Sequence, residues 1–184
     1  FNKCLIQSVK LIKANKPIVS KVYIPKFILI LVKIGVNGFK MFISLLIIVA
    51  MLAVWRVPIT YNVIYIIPIL MTLIVLVFGF SCYLLHYGVF VEDLSNVLNI
   101  ALRFLFYLTG IFWSIMDRLP APYNSYIGRC NPIAFLLTSA RDCVIYGSTP
   151  HRKLLLLWFV IGLIISALGV RKIYKNENSY VKVI

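Results

Sequence analysis

The chain has 184 residues, 62% of them hydrophobic and 13% charged, and its mean hydropathy is +0.97. Soluble domains run about 45–50% apolar and about 25% charged, which excludes a water-soluble enzyme here; a disordered basic tail is excluded too, because it would be poor in Ile, Leu, Val and Phe. Nineteen Lys and Arg against five Asp and Glu give a net charge of +14, but no nucleic-acid-binding signature accompanies it, and in a membrane chain such residues mark cytoplasmic loops.

The first residues carry Lys3, Lys10, Lys13, Lys16, Lys21 and Lys26 and no acid. Within them, Leu11–Lys26 mixes Lys with Ile, Val, Tyr and Pro, the pattern of a short amphipathic helix lying at the membrane interface. The chain starts at Phe1, without Met and without the pattern of a signal peptide. Part of a longer protein is therefore expected.

A bilayer core about 30 Å thick takes roughly 20 apolar residues in a helix. Four stretches qualify: Phe27–Val54, Tyr61–Leu85, Val97–Met116 and Leu154–Val170. None alternates like a barrel strand, so the expected fold is an all-α integral membrane protein, a helical bundle with four transmembrane helices. Arg171, Lys172, Lys175 and Lys182 follow the last run against Glu177 alone. Both ends are thus expected in the cytoplasm. Trp55–Thr60 and Asp117–Lys153 would then be external, and the five cations of the second segment run against the positive-inside rule.

Two connections stand out. His86–Ser95 holds Glu92 and Asp93 and no Lys or Arg. Either these acids meet the dipole of the following helix, or they dock on a basic groove of a soluble partner. In the external segment, Pro120, Pro122, Gly128, Pro132, Gly147 and Pro150 punctuate an apolar run, Ile133–Tyr146, of about four turns. That is too short to cross and fits a re-entrant or interfacial helix. Asn131 and Pro132 suit its start and Gly147 its end.

No enzyme motif and no intramembrane carboxylate pair is present. His86 and His151 are isolated in sequence and read as plain interfacial residues. Cys130 and Cys143 could share the external compartment, either as a disulfide or as two small apolar side chains. The intramembrane cations are more informative, because charge at depth usually faces protein or a watery conduit. Lys33, Asn37 and Lys40 share one face of the first span, and Arg103, Tyr107, Gly110 and Ser114 share one face of the third. Two polar stripes suit the walls of a path for an anionic substrate; the other reading is that the long cationic stems snorkel to the head groups. Trp113 and its aromatic neighbours offer stacking surfaces for sugars or an interfacial belt. Gly162, Ser166 and Gly169 repeat small residues as a helix-packing face.

The order of motifs resembles the membrane subunits of bacterial ABC transporters that export polysaccharides, the O-antigen, capsule and teichoic-acid exporters. NKPIVSKVYIPK at Asn15–Lys26 is similar to their N-x-x-L-I-x-K-x-x-x-P-R motif, with Lys26 in place of the Arg. VEDL at Val91–Leu94 stands where the family has R-D-[IL], Phe104–Pro120 resembles its aromatic fifth span, and Asn131–Pro150 resembles its N-P…R…G-x-x-P external helix. The resemblance covers the whole chain as a single transmembrane domain: the end of a preceding span with a coupling helix (1–26), three spans (27–116), an external helical segment (117–153), and the last span with its tail (154–184). It implies six spans in the full chain.

It further implies a multi-pass permease of the bacterial cytoplasmic membrane with a cytoplasmic C-terminus, working as a homodimer with two ATP-binding cassette subunits that carry ATP and Mg. No cofactor would be bound by this chain, and nucleic acid is no partner. The cargo would be a glycan on an undecaprenyl diphosphate lipid. Lys13, Lys16, Lys21, Lys26, Glu92 and Asp93 would couple to the ATPase, Lys33, Asn37, Lys40, Arg103, Tyr107, Trp113 and Ser114 would line the path, and Asn131, Pro132 and Arg141 would shape the external exit. The alternatives are a related exporter of drugs, lipids or peptides, and a non-transporting membrane assembly protein.

Overall fold

A computed structural model of the chain describes residues 1–19, 24–56, 60–110, 128–177 and 179–180. Every regular element among them is helical. Three short helices, α1 (Asn2–Val9), α2 (Leu11–Ala14) and α3 (Lys16–Val19), precede the long helix α4 (Lys26–Val54). One 3-10 segment, Tyr61–Tyr65, runs into α5 (Ile66–Phe90), followed by α6 (Leu94–Leu108), α7 (Pro132–Val144) and α8 (Arg152–Lys175).

Lys26–Val54, Tyr61–Phe90 and Arg152–Lys175 are long and apolar enough to cross a bilayer. The third expected span is only partly described: α6 has 15 residues, about 22 Å at 1.5 Å per residue, and its continuation to Met116 lies outside the described residues. The described residues thus hold three candidate spans rather than the four read from the sequence.

The bundle is built on α5 and α8, and small residues make that pairing close. A Cβ on Gly169 would sit 2.7 Å from the Cys82 Cβ, and one on Gly79 would sit 2.9 Å from Ile165. The Ser166 hydroxyl is shared between two carbonyls, that of Gly162 in its own helix at 2.8 Å and that of Val75 across the seam at 3.1 Å. The Gly162–Ser166–Gly169 stripe is therefore the packing face its spacing indicates. At Gly88 of α5 an added Cβ would overlap the Val9 carbonyl and lie 2.8 Å from the Val9 Cα. Backbone-to-backbone packing of this kind seats α1 in the bundle, with Cys4, Leu5, Ser8 and Val9 buried.

Two apolar clusters follow. One joins Leu11 and Ile12 to Ile30, Cys82, Leu85, Val89, Ile173 and Tyr180 at the end where α8 finishes. The other joins Phe135, Leu136 and Cys143 of α7 to Ile69 and Leu76 of α5, with Trp158 of α8 packed alongside. Outside these clusters α4 is nearly unpacked: its buried residues are Lys26 and Ile30, while Phe39, Phe42, Leu46 and Ile47 stand exposed. Away from its Lys33–Asn37–Lys40 stripe, a helix so apolar with such exposure belongs in lipid or against further protein. All four cysteines are free, Cys130 exposed and Cys143 buried.

Candidate functional site

The basic and acidic segments meet at the end of the bundle where α8 finishes. Lys13 of α2 lies 3.8 Å from Glu92, in the turn before α6, with side chains 42% and 90% exposed. An ion pair that open adds little stability. Its significance is spatial: it sets the α1–α3 segment beside the α5–α6 connection. Asp93 holds the N-cap position of α6 without a side-chain hydrogen bond, and both acids are exposed. Lys16 is exposed on the same segment, and Lys21 lies outside the described residues.

Lys26 departs from the expected coupling group. Its side chain is 3% exposed and its Nζ lies 2.9 Å from the Glu177 Oε1, so the amino group is turned into the bundle. Three residues on, Tyr180 is fully buried, and its hydroxyl meets the His86 Nδ1 at 2.7 Å. Burial, then the Glu177 charge and Cys82, push the Tyr180 phenol up to about 12, so it stays neutral at ordinary pH. His86 is thus a buried, partnered residue, not a plain interfacial one. The tail after α8 continues the core face of the helix's end: Ile173 of α8 and Glu177 and Tyr180 beyond it are all buried. Their i, i+4, i+7 spacing was a readable signal of one helical face.

The first polar stripe opens onto a cleft of about 430 Å³ between α1, α4 and α6. Lys3, Asn37, Lys40 and Ser44 line it together with Leu105, Phe106 and Thr109, and among the described residues no acid does. The Asn37 amide donates to the Gln7 Oε1 at 3.0 Å and to the Lys33 carbonyl at 3.0 Å, tying α4 to α1. Lys40 is exposed in the cleft, whereas Lys33 is half-buried and outside its lining. The second stripe does not join the first. Arg103 and Tyr107 are exposed and absent from the lining; α6 offers Leu105, Phe106 and Thr109 instead, because these fall on a different helical face. Trp113 and Ser114 lie outside the described residues.

Helix α7 begins as its sequence indicates. The Asn131 Oδ1 accepts the Ile133 and Ala134 N–H groups at 3.1 and 3.4 Å, with Pro132 at the first position. This cap is of the kind worth about 1 kcal/mol. The chain leaves the helix at Val144 and turns at Gly147, whose φ of +62° favours glycine. There the Asn62 amide donates to the Gly147 carbonyl. The Arg141 guanidinium donates to the Gly110 carbonyl at 3.1 Å, so one side chain ties α7 to the turn after α6. At its start, α7 adds Ile133 to the cleft that holds Lys40.

These features define a multi-pass, all-helical membrane protein with a cation-lined cleft beside its packed core. Two curated O-antigen export system permease proteins RfbA of Klebsiella pneumoniae are each similar to the chain, 23% identical over 172 residues, which is 93% of this chain and 65% of theirs. The chain thus spans just under two thirds of the length of these relatives. No protein-family profile matches it, and no solved structure does. The similarity agrees with the family to which the motifs point.

Proposed function

We propose that the chain is the membrane-spanning part of a permease subunit that exports a polysaccharide, energised by a separate ATP-binding cassette subunit. The reading is carried by similarity to O-antigen export permeases along 93% of the chain. Two permease copies and two ATPase subunits form the transporter, and a diphosphate-linked lipid carries the glycan. Four spans of this segment, continued to six in the full chain, cross the cytoplasmic membrane with the C-terminus inside. Lys13, Lys16, Glu92 and Asp93 take the thrust of the ATPase at the exposed Lys13–Glu92 contact. The amino groups of Lys3 and Lys40, which form no ion pair among the described residues, favour an anionic group entering the cleft. Helix α7 is re-entrant. Its apolar cluster reaches Leu76 of α5, with Phe80 packed on it, about 15–21 Å along the helix from Ile66 at 1.5 Å per residue.

Cells lacking the chain should lose surface polysaccharide while lipid-linked polymer accumulates inside, and the tagged full-length chain should co-purify with an ATPase. Loss of surface polymer without internal accumulation would point to an assembly protein; unchanged polymer with altered drug efflux would point to the related exporters.

A further inference from the structure

At the end of the bundle where α8 begins, Arg129, His151, Arg152 and Lys153 line a cleft of about 390 Å³ bounded by Leu154. Among the described residues no carboxylate is in the lining. Asp142, close enough to feel the charge of His151, is outside the described lining of the cleft. The ion pairs among the described residues, Lys13–Glu92 and Lys26–Glu177, lie at the other end.

The arrangement works against the helix it belongs to. The first turn of α8 holds Arg152 and Lys153 and no acid, and the N-cap His151 makes no side-chain hydrogen bond. Cations at a helix N-terminus oppose the dipole, and they leave the first N–H groups without an acceptor. Nor are the participants loose. The Arg152 guanidinium stacks 5.1 Å over the Tyr65 ring, and the Arg129 carbonyl accepts the Trp158 indole N–H at 3.3 Å. Positive charge held in a concave site, with no carboxylate among its described lining residues, calls for an anion.

Depth narrows the chemistry. The apolar run of α8 begins at Leu154, directly after the cations, and Tyr65 and Trp158 stand at the level where aromatic rings mark the edge of a bilayer. The cleft therefore sits at the height of lipid head groups, whose anionic members attract juxtamembrane Lys and Arg. This also accounts for the basic character of a segment that the positive-inside rule would leave uncharged. We propose that the cleft binds a phosphate group, supplied by an anionic phospholipid of the leaflet at that end. The inference rests on the helices crossing a membrane and not on the identity of any exported cargo.

The test uses the full-length chain in nanodiscs of phosphatidylcholine doped with a photoactivatable phosphatidylglycerol, with crosslinked peptides mapped by mass spectrometry. Crosslinks should fall on residues 128–158 and drop at least tenfold in the R129Q/R152Q/K153Q variant, while those near Arg171–Lys175 persist as an internal control. The R129K/R152K variant, which keeps the charge, should retain most of the labelling. Excess phosphatidylglycerol should compete and phosphatidylcholine should not. Competition by inorganic phosphate as well as the lipid would support the phosphate site with a soluble source. Undiminished labelling in the glutamine variant, or equal competition by phosphatidylcholine, would overturn the proposal. Polysaccharide export is no readout here, so failure of the cargo assignment and failure of this site remain distinguishable.

Discussion

Replacing Glu177 by Gln should destabilise the bundle well beyond an ordinary surface change. Its carboxylate lies 2.9 Å from the Lys26 amino group, and the two side chains are 11% and 3% exposed. At an effective dielectric of about 20 the gross attraction is 332/(20 × 2.9), about 6 kcal/mol. Desolvating both ions consumes much of that, so the pair as a whole adds little; removing one partner, however, leaves a charge inside and costs about 3–5 kcal/mol. Glu177→Gln and Lys26→Met should each cost about 3 kcal/mol by that reasoning. The double variant Lys26→Met/Glu177→Met, which leaves no buried charge, should recover most of the loss. The assay is thermal unfolding of the purified full-length chain in detergent, read as a double-mutant cycle. Single variants within about 1 kcal/mol of the parent, the size of a surface pair, would show that the tail does not pack as described.

Three further outcomes follow from the same contacts. Gly88→Leu forces a side chain into the Val9 backbone and should cost about 1–3 kcal/mol or more as overpacking, read as faster trypsin cleavage after Lys10; unchanged cleavage would mean α1 is not seated there. Lys40→Met should leave insertion intact and slow export about tenfold, the equivalent of roughly 1.5 kcal/mol for one charged hydrogen bond to an anion, with Lys40→Arg retaining most activity; a wild-type rate would remove Lys40 from the path. Glu92→Lys/Asp93→Lys should abolish ATPase co-purification while the chain still inserts, because adverse charges at a helix start cost only about 0.3–1 kcal/mol each; normal co-purification would leave these acids a purely local role.

What could be read from the sequence was what depends on local order. Apolar length marked α4, α5 and α8, the small-residue spacing marked the α5–α8 seam, and Asn131–Pro132 marked a capped start that the backbone realises. Pairings between distant elements were not readable in this way. Nothing local says that Lys26 will meet Glu177, 151 residues on, and counting charges assigned both to cytoplasmic surfaces. The stripes of the first and third spans share a period, but periodicity fixes a face only relative to its own helix. Which face turns toward a neighbour depends on rotation about the axis, and α6 turns Leu105, Phe106 and Thr109 to the cleft. His86 read as unpartnered because its partner lies in a tail that looked like a soluble basic end.

The distribution of packing separates two halves of the chain. On one side, α1, α5 and α8 are locked by glycines at van der Waals limits and by the His86–Tyr180 contact, and a buried ion pair fixes the first residue of α4 to the tail after α8. On the other, α4 beyond Ile30 and α6 beyond Ser95 bury little, Leu102 being the exception within α6. Segments with few buried contacts open at the lowest free-energy cost. The cleft with Lys3, Asn37 and Lys40 lies along the boundary between these halves, since α1 supplies one wall and α4 and α6 the others. Displacing α4 and α6 from α1 would change the width of that cleft while disrupting few apolar contacts. Moving α5 against α8 would break the closest packing in the molecule. A thrust delivered at Lys13 and Glu92 acts where the rigid half, through α2, touches the loosely held α6, through the turn that begins it. The contact proposed to take the thrust and the cleft therefore share one boundary, and among the described helices movement there disrupts the fewest buried contacts.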